Sequence, residues 1–180
     1  MTMRGSFFES LFAGLLLLGS FWLGSLVYQN HWAVPEKPPP ISSDAPKVIP
    51  AVALTGGARD LYVENPKRPT LLLVLSADCR YCEQNAPQWR QLVAYLGGRE
   101  SSPAVLALSL SDAKDTAGYL EANDLEVPVL LIDREGLRAL GLPGVPGTIV
   151  LDPGSDTMRS WIGVLSMSET ESILTWAAAN

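Results

Sequence analysis

At 180 residues, 47% of them hydrophobic, the chain can hold one packed domain plus an appendage. Its formal charge of −6 offers no cationic surface for a phosphate backbone or anionic headgroups, which argues against a nucleic-acid partner. The two cysteines can neither staple a small scaffold by several bridges nor complete a tetrahedral metal site, so no metal is expected.

Residues 7–28, FFESLFAGLLLLGSFWLGSLVY, are almost entirely apolar, with Glu9 the one charge. As a helix this segment would cross a hydrocarbon core of about 30 Å. A cleaved signal peptide is the rival reading, but no small-x-small cleavage pair follows. Arg4 in the tail of residues 1–6 places the N-terminus in the cytoplasm by the positive-inside rule. A single pass through the cytoplasmic membrane would then leave the rest in the periplasm or another extracytoplasmic space. Residues 29–48 carry Pro35, Pro38, Pro39, Pro40 and Pro46, which resist helix and favour an extended spacer. His31, the lone histidine, lies in this segment without a partner motif and reads as incidental.

The folded domain is expected over residues 49–180. Residues 51–63 alternate around Gly56-Gly57 as a hairpin would. The unbroken apolar run at 70–76 suits a strand buried on both faces. Helical spacing follows through Trp89, Leu92, Val93 and Leu96, until Gly97-Gly98 stops it. Residues 104–110 read as a second buried strand, and 116–123 as a helix capped by Asp115. A strand at 128–132 precedes a short helix at 135–140 that Gly141 ends. Strands at 147–151 and 158–164 flank Asp152-Pro153-Gly154 as an antiparallel hairpin. Ser168 and Glu171 have the spacing of a capping box opening a final helix through Ile173, Leu174 and Trp176. Strands alternating with helices imply an α/β domain with a mixed sheet.

The chemistry concentrates in Cys79-Arg80-Tyr81-Cys82, where strand gives way to helix. A sulfur at a helix N-terminus meets unpaired amides and the positive end of the dipole, which favour a thiolate, and Arg80 adds a positive charge. Cys79 is therefore the expected nucleophile. Cys82, one turn further in, would resolve the mixed disulfide. Asp78 opposes the thiolate electrostatically.

Strand, CxxC, helix and a later Gly144-Val145-Pro146 before a strand resemble the thioredoxin superfamily. Pro87, five residues after Cys82, stands where such helices have a kinking proline, and Val145-Pro146 where the family has its cis-proline loop. The resemblance implies that this loop faces the cysteines and pairs with the backbone of a bound partner. Within the superfamily, the segments VPVLLID and LGLPGVPGTIVLD, with the anchor and the early hairpin, resemble the membrane-anchored TlpA/ResA-like proteins. The likeness covers roughly residues 50–180. It implies a thioredoxin-like fold and a cofactor-free thiol-disulfide oxidoreductase whose redox group is the Cys79/Cys82 pair. Its partners would be protein thiols and disulfides, with a membrane thiol protein as electron donor, and its role that of a reductant, often in cytochrome c maturation.

Three positions depart from the pattern. Asp78 replaces the tryptophan before the first cysteine, Leu73 replaces a buried acid in the central strand, and Asn85 stands where many relatives have glutamate. Glu83 could substitute in proton handling, although a solvated helix-face charge is the plainer reading. Peroxiredoxin, haem-attachment and copper-delivery patterns fail at Leu72, at Glu83, and for want of a downstream histidine, respectively. The sequence is also compatible with a disulfide-donating oxidant, with a structural Cys79-Cys82 staple in a binding domain, and with Pro146 as an ordinary turn proline.

Overall fold

The computed structural model describes residues 48–63, 66–97, 103–153 and 158–180. The tail, the expected membrane span, His31 and the linker up to residue 47 lie outside the described residues. Among the described residues no helix is long and apolar enough to cross a membrane.

The apolar runs become strands of one seven-stranded sheet. β1 (Val48–Ala53) and β2 (Ala58–Tyr62) form the expected hairpin, with Gly56 and Gly57 at φ of 91° and 94°, a region that suits glycine. β1 opens at Val48, the last residue of the expected linker. β3 (Thr70–Leu75), β4 (Ala104–Ser109), β5 (Val129–Leu131), β6 (Gly147–Leu151) and β7 (Arg159–Ile162) complete the sheet, in the order β2-β1-β5-β4-β3-β6-β7. β3 runs parallel to β4 and β4 to β5, while β1, β6 and β7 pair antiparallel, so the sheet is mixed.

β3 shows why its sequence has no polar alternation. Leu71, Leu73 and Leu75 point into one core with Trp89, Leu92, Ile173 and Trp176, whereas Leu72 and Val74 point into another with Ile49, Leu108, Leu140 and Ile149. A strand with a core on each side needs apolar residues at both phases of its two-residue period. Leu73, in the place of the missing acid, is fully buried in the first core.

Among the described residues four helices cover the sheet: α1 (Arg80–Leu96), α2 (Ala113–Ala122), α3 (Arg134–Ala139) and α4 (Met167–Ala179). α1 buries Cys82, Asn85, Ala86, Trp89, Leu92 and Leu96, a stripe at helical spacing, and turns Glu83 and Pro87 outward. Gly97 ends it, as expected.

Two caps differ from the sequence reading. The cap of α2 is Asp112, whose carboxylate accepts from the Asp115 amide at 2.8 Å, because buried Thr116 must already be helical to reach Ser109 at 2.7 Å. The capping box of α4 is Ser166 with Glu169, not Ser168 with Glu171. Both pairs have the right spacing. The deciding contact is remote: Leu165 is buried and pinned by Asn85, so the chain turns into helix directly after it.

Candidate active site

The segment joining β3 to α1 is held by hydroxyl groups. Ser111 Oγ accepts from the Ala77 amide at 2.8 Å and lies 3.0 Å from Ser76 Oγ. Ser76 Oγ also bonds the Asp78 carboxylate, which lowers the Asp78 pKa and keeps this exposed side chain ionised. The Cys79 amide donates to Ser76 O at 3.2 Å, closing the turn.

Cys79 is the N-cap of α1. Its sulfur takes the position in which a serine or aspartate oxygen would satisfy a free first-turn amide, and it accepts from the Cys82 N–H at 3.2 Å. Cys79 is half-buried, whereas Cys82 has no exposed surface, and both are free thiols. Burial, then the hydrogen bond with Cys79, push the Cys82 thiol up, and the charge of Asp78 adds to this. The expected order of access holds: the sulfur at the cap can be reached and the one a turn later cannot.

The loop between α3 and β6 lies against the first sulfur. The Val145-Pro146 bond is cis, and Cys79 Sγ is 3.7 Å from the Val145 carbonyl, across 66 positions of sequence. Pro146 O accepts from the Gly163 amide at 2.9 Å, which ties this loop to the turn after β7. Tyr81, Gln84, Pro143, Val145, Ile162 and Val164 line an open groove of about 510 Å³ beside the cysteines. Arg80 is exposed, as is Tyr81 at 62%. The structure thus brings together Asp78, Cys79, Arg80, Tyr81, Cys82, Val145 and Pro146.

Two contacts had no sequence signal. The buried Tyr119 hydroxyl donates to the Cys82 carbonyl at 2.8 Å. Asn85, fully buried, accepts from the Leu165 amide at 2.8 Å through Oδ1, while its Nδ2 has no partner. Asn85 therefore braces the turn carrying Ile162 to Leu165, a role far from that of an acid. Glu83 is exposed on the outer face of α1, in keeping with a solvated charge. No group of three or more potential metal ligands occurs among the described residues.

No family model matches the sequence, and no curated protein does. Solved structures do match the fold. The thioredoxin domain of a thiol-disulfide oxidoreductase from Bacteroides vulgatus aligns with a TM-score of 0.59 at 15% identity, over 74% of this chain and 94% of that one. StoA from Bacillus subtilis aligns at 0.54 and 18% identity, over 73% and 98% of the two chains. A DsbF homologue from Corynebacterium diphtheriae aligns at 0.57 and 17% identity, over 72% and 84%. The described domain has the thioredoxin-like fold of these structures, with a Cys79/Cys82 pair at the head of the first described helix.

Proposed function

We propose that this chain is a thiol-disulfide oxidoreductase that reduces protein disulfides outside the cytoplasmic membrane. The observation that carries this reading is the pairing of a reachable N-cap sulfur, set against the Val145 carbonyl, with a buried sulfur three residues on. An inert staple has no need of a groove beside its outer sulfur. Structural neighbours named as thiol-disulfide oxidoreductases support the same reaction class.

In the forward direction the Cys79 thiolate attacks one sulfur of a partner disulfide. A bond forms from Cys79 Sγ to that sulfur, the partner's S–S bond breaks, and its second sulfur leaves as a thiolate that takes up a proton. Cys82 then loses its proton to solvent and attacks Cys79 Sγ. The Cys79-Cys82 bond forms as the second partner thiolate departs, so two electrons pass from the pair to the partner. The backbone at Val145 and Pro146 lies beside Cys79, where an extended partner strand would pair with it. The open groove takes the side chains next to the partner's cysteine.

Burial, then Cys79 and least of all Asp78, raise the cost of ionising Cys82, so the reduced pair gains no stabilisation from a thiolate at that sulfur, which favours reduction of partners over their oxidation. The apolar span at 7–28 motivates a single-pass anchor with the domain outside, recharged by a membrane thiol protein. Apocytochrome c, whose CxxCH cysteines must be reduced before haem attachment, is a substrate of the fitting class. Equilibration with glutathione tests the direction: a potential well below about −200 mV supports a reductant, and one near −120 mV an oxidant. Cys82→Ser should in addition trap partners on Cys79 as mixed disulfides on non-reducing gels. Cys82→Ser gels with no trapped partner, identical to those of the Cys79→Ser/Cys82→Ser variant, would refute the mechanism.

A further inference from the structure

Cys82 sits one residue before a gap in the hydrogen bonding of α1. Pro87 has no amide proton, so the carbonyl of Glu83, directly after Cys82, lacks the donor that a helix would supply from four residues on. The carbonyl of Cys82 itself receives an extra donor from outside the helix, the Tyr119 hydroxyl at 2.8 Å. Tyr119 comes from α2, and α2 is fixed to the sheet independently of α1 by the buried Ser109–Thr116 pair at 2.7 Å. The loop leading into α2 grips the other side of the motif, since Ser111 binds Ser76 and the Ala77 amide. One segment, Ser109 to Tyr119, therefore holds the residues before Cys79 and the peptide of Cys82.

We propose that Tyr119 is a positioning residue for the resolving step: its hydroxyl holds the Cys82 peptide so that the buried sulfur stays directed at Cys79. The inference rests on the oxidoreductase reading and adds to it. The groups around the pair act consistently. Burial, then Cys79 and Asp78, push the Cys82 thiol up. Burial, then Cys82, Cys79 and Glu83, push the Tyr119 phenol up, so it remains a protonated donor throughout the cycle. Its O–H donates to the Cys82 carbonyl, so it acts on the peptide that carries the sulfur.

Glutathione disulfide separates the two chemical steps. Cys79 attack releases one glutathione thiolate and leaves glutathione on Cys79; Cys82 attack releases the second and closes Cys79-Cys82, the thiol protons passing to buffer. The reduced full chain is compared as wild type, Tyr119→Phe and Thr170→Val, the last breaking a part-buried bond within α4 that touches neither Tyr119 nor Cys82. Tyr119→Phe should leave the first release within about twofold and slow the second by about five- to tenfold, the worth of one hydrogen bond of ordinary net strength. Thr170→Val should show no such selective loss. Equal second releases in wild type and Tyr119→Phe would overturn the proposal, as would equal slowing of both steps or the same selectivity in Thr170→Val. Failure of wild type to react at all would instead remove the oxidoreductase reading.

Discussion

Replacing Cys82 with alanine should abolish a specific alkaline loss of stability in the reduced protein. Cys82 has no exposed surface, and burial, followed by its hydrogen bond with Cys79, pushes its thiol well above the ordinary value of 9.0. A thiol whose folded pKa exceeds its unfolded one keeps its proton longer in the folded state. Its contribution to stability is complete below the unfolded pKa and is lost as the pH rises from there through the folded value. By pH 10 the unfolded chain has released nearly all of this proton while the folded protein still holds it, which costs about 1.4 kcal/mol relative to pH 7. Tyr119, raised from 10.0 chiefly by burial, adds about 0.4 kcal/mol at the same pH by the same sign. Urea unfolding of the reduced full chain, with excess reductant, should show the wild type losing about 1.4 kcal/mol more than Cys82→Ala between pH 7 and pH 10. The cavity left by alanine is independent of pH, and the lysines and tyrosines common to both proteins cancel. A constant difference between the two proteins across that range would refute the argument that burial holds the Cys82 proton.

Limiting iodoacetamide on the reduced protein should label Cys79 first, because Cys82 is fully buried, and peptide mapping that found Cys82 modified first would reverse the assigned roles. Trp89→Phe should destabilise the domain by about 2–4 kcal/mol, since it leaves a gap and strips Thr148 Oγ1 of the indole N–H at 3.0 Å. Adding Thr148→Val should recover part of that loss by removing the orphaned hydroxyl, and strictly additive losses in denaturant titrations would show that the bond contributes nothing. Protease added to spheroplasts should release a soluble fragment beginning within residues 35–48, whereas protection until the membrane is permeabilised would place the domain in the cytoplasm.

Much of the local architecture can be read from the chain because its causes are local. The continuous apolar run of β3 needs a core on each face, the stripe of α1 follows a 3.6-residue period, and Gly56-Gly57 allows a turn that few other residues permit. The spacing of Cys79 and Cys82 at the junction of strand and helix likewise suffices to assign one sulfur to the helix cap and one to its first turn. Cap choice was harder. Ser166/Glu169 and Ser168/Glu171 offer the same motif two residues apart, and what selects the first is the bond from buried Leu165 to Asn85, 80 positions away.

Only the tertiary structure decided what surrounds the reactive pair. Nothing in the neighbourhood of Tyr119 marks it as a partner of Cys82, for the contact spans 37 residues and depends on where α2 lies against α1. Asn85 invites comparison with an acid from its position alone, yet its buried amide accepts a backbone hydrogen bond and braces one wall of the groove. The approach of Val145 to Cys79 depends on β6 pairing with β3, which sets the loop before one strand beside the turn after the other. Periodicity and capping express interactions within a few residues of chain. Hydrogen bonds between distant segments arise from the packing of whole elements, and no single segment carries that information.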